Sequence, residues 1–129
     1  MTYKELPDHV RRFILTSVPS VPYLEAILLL RGEPRAPWNA AAVARRLYLA
    51  EPIAGQLLQA LASAGIAQPH PEAPDAFIYS PATPELSAML EEVAKVYAAN
   101  LVKVTDLIHS RVDRRAQQFA DAFRWRKDS

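Results

Sequence analysis

Cysteine is absent from the 129 residues, which removes disulfides, thiolate chemistry and cysteine-held zinc together and fits a cytoplasmic chain. Only three glycines occur, at positions 32, 55 and 65, and none belongs to a phosphate-cradling loop or a dinucleotide fingerprint. Long apolar runs are missing too. The run Ala26–Leu30 is far short of the roughly 20 residues that cross a bilayer. The first residues, MTYKELPDHVRR, have no apolar stretch of the kind that directs secretion, so no membrane partner is expected. Charge of one sign is also lacking: net charge is +1, with 22% charged and 50% hydrophobic residues. Neither a disordered polyelectrolyte nor a strongly basic nucleic-acid coat protein has that balance.

Reaction chemistry is equally thin. There is no Ser-His-Asp pattern, and His9 and His109 stand alone. Glu91 and Glu92 are neighbours on a helical stretch, so their carboxylates diverge and do not form an acid/base pair. His70, Glu72 and Asp75 are the one compact set of metal-ligand types, but their spacing matches no metal signature and reads as a solvated tip. The chain is expected to be no enzyme and to hold no cofactor or metal.

The distribution of helix breakers gives the organisation. Every proline and glycine lies at or before Pro84, and residues 85–129 contain neither. Those residues therefore read as long helix, while shorter elements precede them. Three segments are expected: an N-terminal helical arm at 1–19, a compact domain at 20–83 and a helical oligomerisation segment at 84–129.

Within the arm, Asp8 is placed to cap a short helix from Pro7 to Ser17 with Val10, Phe13 and Ile14 on one face. A second helix starts near Ser20 and Pro22, is apolar nearly all round in YLEAILLL, and stops at Gly32. In PWNAAAVARRLYL, Asn39 is a good N-cap for a helix through Leu47, with Trp38 able to pack on Val43. Val43, Ala44 and Leu47 then face inward and Arg45 and Arg46 outward. A turn at Leu49–Glu51 leads to a fourth helix from Pro52 to Ala64, whose stripe is Ala54, Leu57, Leu58 and Leu61. Gly65 ends it. Ile66 to Gln68 and Ala76 to Ser80 read as the strands of a hairpin around a His70–Pro74 loop, its prolines limiting the pairing.

The fold class expected is mainly α with a small β-hairpin. The stretch WNAAAVARRLYLAEPIAGQLLQALASAGIAQ, continued by FIYSP, resembles the winged helix-turn-helix superfamily as seen in MarR-, PadR- and ArsR-like bacterial regulators. Leu58, Leu61, Gly65 and Ile66 match that family's LxxLxxxGLV step from recognition helix to wing, and Tyr79 with Pro81 matches its closing strand. The likeness covers about residues 20–83. It implies that the Pro52–Ala64 helix enters a DNA major groove, with Gly55, Gln56, Gln59 and Ser63 facing the bases, while the hairpin at His70–Asp75 touches the backbone. Glutamine suits this, since its amide pairs with an adenine edge. The fourth helix has no basic residue, so Arg45 and Arg46, with Arg31 and Arg35 nearby in sequence, are the candidates for phosphate neutralisation. Glu72 and Asp75 give the hairpin the opposite sign.

From Pro84 to about Ser110, Leu86, Leu90, Val93, Tyr97, Leu101, Val104 and Ile108 recur as a heptad-like seam with one irregular step. One helix over that span is about 40 Å long at about 1.5 Å per residue. A second amphipathic stretch carries Phe119 and Phe123 and ends in RWRKDS, where Trp125 either stacks on nucleic acid or packs on a partner helix. Flanking helices build the dimer in winged-helix regulators, so the resemblance implies a homodimer through Leu90, Val93, Tyr97, Leu101, Val104, Ile108, Phe119 and Phe123. Folding back on its own domain is the other arrangement open to this segment. Two functional readings follow: a dimeric transcriptional regulator on DNA, or a winged helix that docks a protein partner through its acidic hairpin.

Overall fold

The computed structural model of the protein describes residues 6–110 and divides into two compact units. One comprises residues 22–94; the other is formed by the described residues before 22 and after 94. The chain is mainly α-helical with one two-stranded antiparallel sheet.

In the smaller unit, α1 (Asp8–Ser17) buries Val10 and Ile14, followed by Val18. Pro7, not Asp8, occupies the N-cap, and Asp8 instead lies in the first turn, where a carboxylate favours the positive end of the helix. A helix over residues 101–110 contributes Val104 and Ile108, both fully buried.

In the larger unit, α2 (Val21–Gly32) buries Tyr23, Leu24, Ala26, Ile27 and Leu30, as its all-round apolar composition predicts. Helix α3 (Ala40–Leu47) begins at Asn39, whose Oδ1 accepts from the Ala42 N–H at 2.8 Å. Helix α4 (Glu51–Ser63) has proline in its first turn and buries Ala54, Leu58 and Leu61. Its Gly55 lies under Ala40 of α3: a Cβ on Gly55 would stand 3.6 Å from the Ala40 Cβ. The glycine therefore faces the neighbouring helix, a correction to its expected place among the outward residues.

Two helix ends in this unit share one hydrogen bond, from the residue after a left-handed one to the carbonyl five positions back. At the end of α4, the Ile66 N–H donates to Leu61 O at 2.9 Å and the Gly65 N–H to Ala62 O at 3.1 Å, with Gly65 left-handed at φ 77°. At the end of α3, the Leu49 N–H reaches back to Ala44 O at 3.0 Å, and the left-handed residue, at φ 58° and ψ 48°, is Tyr48. A side chain in that conformation costs about 1–2 kcal/mol that glycine avoids.

The sheet pairs β1 (Ala67–His70) with β2 (Ala73–Tyr79). Pairing runs further than the sequence suggests, leaving only Pro71 and Glu72 at the tip. The register is regular from Ala67↔Tyr79 to Pro69↔Phe77, then jumps to His70↔Ala73. Pro69 and Pro74 flank that jump and have no N–H to donate, so the ladder closes through an irregularity. Below the sheet, the Ser80 N–H donates to Ile66 O and the Ala82 N–H to Gly65 O, both at 2.8 Å. The hairpin also gains a third short partner. Trp38 and Phe77 exchange two backbone hydrogen bonds of 2.8 Å each, forming an isolated antiparallel bridge just ahead of α3.

Helix α5 (Pro84–Ala99) starts on Thr83, whose Oγ1 accepts from the Leu86 N–H at 3.1 Å. The continuous helix expected from Pro84 to Ser110 is interrupted at Asn100, a poor helix former whose carbonyl opens the next helix by accepting from the Val104 N–H at 3.0 Å.

The two interior glycines predict opposite outcomes. Gly55→Ala is expected to stabilise by about 0.5–1 kcal/mol, since its Cβ finds ordinary contact in a helix. Gly65→Ala is expected to destabilise by about 1–2 kcal/mol, because alanine must take a positive φ with its Cβ 3.2 Å from that of Ala82. Urea denaturation of both variants checks the signs.

Candidate nucleic-acid interface

The α3–turn–α4 step leaves both polar and apolar side chains exposed. Arg45 and Arg46, in the last turn of α3, are exposed beside its negative end. The Arg46 guanidinium stands 5.5 Å from the centre of the Trp38 ring, a cation–π contact that steadies a side chain otherwise free to sweep. Trp38 itself is buried, held on its backbone by Phe77.

On α4, Gln56, Gln59 and Ser63 are all exposed, and their spacing sets them along one stripe opposite Leu58 and Leu61. Glu51 is the only charged residue on this helix. Ile53 is 45% exposed in its first turn, and Tyr48, in the turn before it, is 94% exposed. Sequence reasoning passed over Tyr48 because its neighbours Leu47 and Leu49 make it look like part of an apolar run.

The remaining cations divide. Arg35 is exposed. Arg31 forms a bidentate pair with Glu91 of α5, Nε to Oε2 at 2.7 Å and Nη2 to Oε1 at 2.6 Å. That hydrogen bonding raises the Arg31 pKa. It also neutralises the charge, so Arg31 is no spare phosphate ligand. The nearby Tyr79 pKa is raised as well, first by burial and then by the Glu91 charge. Its hydroxyl is buried without a hydrogen-bond partner, as is the Trp38 Nε1.

Glu72 at the hairpin tip and Asp75 in β2 are exposed. The Glu72 N–H donates to His70 Nδ1 at 3.1 Å, closing the turn. Among the described residues no three histidine, aspartate or glutamate side chains gather as metal ligands.

The seam residues separate. Leu90, Val93, Val104 and Ile108 are buried within the single chain, and Tyr97 is half-buried. Leu101 is 53% exposed, and its neighbour Val102 is 68% exposed. Phe119 and Phe123 lie outside the described residues. No single helix among the described residues is long and apolar enough to cross a membrane.

No protein-family model matches the chain, and no curated protein matches it. Among solved structures it is similar to RV1404 from Mycobacterium tuberculosis, at 17% identity and a TM-score of 0.47. The alignment covers 85% of this chain, which spans 66% of that structure's length.

The Arg31–Glu91 pair joins α2 to α5, and both side chains keep some solvent, at 31% and 46% exposure. A double-mutant cycle with Arg31→Ala and Glu91→Ala, read by urea denaturation, is expected to give a coupling of only about 1 kcal/mol, typical of a screened pair with good geometry.

Proposed function

We propose that residues 22–94 form a winged-helix domain that binds double-stranded DNA, and that the protein acts as a dimeric transcriptional regulator. The observation that carries this reading is the exposed Gln56–Gln59–Ser63 stripe on α4, together with the two exposed arginines that end α3. In this reading Gln56 and Gln59 hydrogen-bond base edges, Ser63 reaches either a base or the backbone, and Arg45 and Arg46 neutralise phosphates. Leu101 and Val102, left exposed on the 101–110 helix, support a second copy as partner.

A second reading is favoured by one observation, the exposed acids Glu72 at the hairpin tip and Asp75 in β2. Close to DNA they repel phosphates; against a basic polypeptide they are an asset. In that case the domain docks a protein and binds no DNA.

Fluorescence anisotropy with labelled genomic fragments separates the two. Binding at low salt is expected, and Arg45→Ala with Arg46→Ala is expected to lower the slope of log K against log salt by about 2 for each bound subunit, close to one unit per lost phosphate contact. No binding to any fragment at low ionic strength ends the DNA reading. For the dimer, deletion of residues 111–129 is expected to convert dimer to monomer in light scattering, and an unchanged mass refutes that assignment.

A further inference from the structure

Tyr48 is the most exposed large side chain among the described apolar and aromatic residues, and it sits in a backbone conformation that tyrosine rarely adopts. The end of α3 accounts for the conformation. Its capping bonds, from the Tyr48 and Leu49 N–H groups to Ala44 O, need a left-handed residue at position 48. They do not account for the side chain, since glycine meets the same need at the end of α4. A phenol at 94% exposure gains nothing from the core either. What it has is a rigid ring, lifted away from the protein by the left-handed turn, with a hydroxyl at its tip.

Its setting suggests what that hydroxyl meets. Arg45 and Arg46 lie three and two residues before it, and Arg46 is steadied over Trp38. Glu51, three residues after it, is the single acid of the segment and lies at the positive end of α4. Over residues 45–51 the cations outnumber the acid, so the turn attracts an anion. A tyrosine hydroxyl is a good neutral donor to a phosphate oxygen, and such contacts fix register without reading sequence.

We propose that Tyr48 donates a hydrogen bond to a DNA phosphate next to those neutralised by Arg45 and Arg46, so that the end of α3 and the turn clamp the backbone beside α4. The clamp rests on the DNA reading above and adds a residue to it. A polypeptide partner is the less favoured occupant, because Ile53 is the only other large apolar side chain exposed on α3, the turn or α4.

The test uses the full chain and a labelled duplex that the wild type binds, with Tyr48→Phe, Tyr48→Gly and Arg45→Ala compared over a salt series and by thermal melting. Tyr48→Phe removes only the hydroxyl. It is expected to weaken binding on the order of tenfold, with the salt slope and melting temperature unchanged, since a neutral donor releases no counterion. Arg45→Ala is expected to lower the slope by about 1 for each bound subunit. Tyr48→Gly is expected to lose at least as much affinity as Tyr48→Phe while melting no lower than wild type, because glycine takes φ 58° freely. Wild-type affinity in both Tyr48 variants overturns the clamp and leaves the DNA reading standing. Loss with Tyr48→Gly but not with Tyr48→Phe also overturns it, and assigns the ring to stacking or to a protein contact. A wild type that binds no duplex overturns both.

Discussion

Two backbone hydrogen bonds between Trp38 and Phe77 hold together the parts on which everything else in the larger unit depends. A two-stranded hairpin alone is marginal in water and needs a further strand or a helix to pack on. Here the bridge supplies a strand fragment from the far side of α3 and α4. It also fixes where α3 starts, since Trp38 immediately precedes the Asn39 cap. Arg46 then lies over the same indole. One residue thus ties the hairpin, the first turn of α3 and a surface cation into a single frame, and α4 is carried between them.

Much of this frame was legible in the sequence because it rests on local chemistry. Asn39 before an alanine-rich run, Pro52 in a first helical turn and Gly65 after a leucine stripe each act within a few residues. The outward residues of α4 came from the resemblance: Gln56, Gln59 and Ser63 are exposed, while Gly55 faces Ala40 of α3. The hairpin was placed correctly, but its extent was underestimated. Pro69 and Pro74 forbid a regular ladder, yet an irregular one needs only the N–H groups that remain, and the strands pair up to a two-residue tip.

The parts that stayed hidden depend on distance or on a single dihedral. A one-residue strand such as Trp38 has no periodicity to detect. Arg31 and Glu91 are sixty positions apart, so nothing local reveals that the arginine is already paired. Tyr48 occupies a site where glycine or asparagine is the usual signal. The seam of the C-terminal half shows a different limit: spacing says which residues share a face, not which molecule covers it. Leu90, Val93, Val104 and Ile108 are covered by their own chain. Leu101, the first residue after the interruption at Asn100, is exposed while Val104 and Ile108 on the same helix stay buried.

Electrostatics links the two halves of the proposal. With Arg31 paired to Glu91, the α3–turn–α4 surface retains Arg45 and Arg46 as cations, and the exposed Glu51, Glu72 and Asp75 offset them. On the proposed DNA reading, one domain would neutralise about two phosphates, far fewer than the roughly 6–10 contacts of a strongly salt-dependent DNA binder. Binding by one copy is therefore weak, and a neutral donor such as Tyr48 matters more when so little counterion release is available. A second copy doubles the phosphate contacts and makes the second docking step intramolecular, which raises affinity by orders of magnitude without a new contact. On that same proposed reading, dimerisation is the condition under which recognition through glutamines would become useful at physiological salt. The two claims stand in one energetic relation: the fewer the cations on each domain, the more the duplex reading requires its partner.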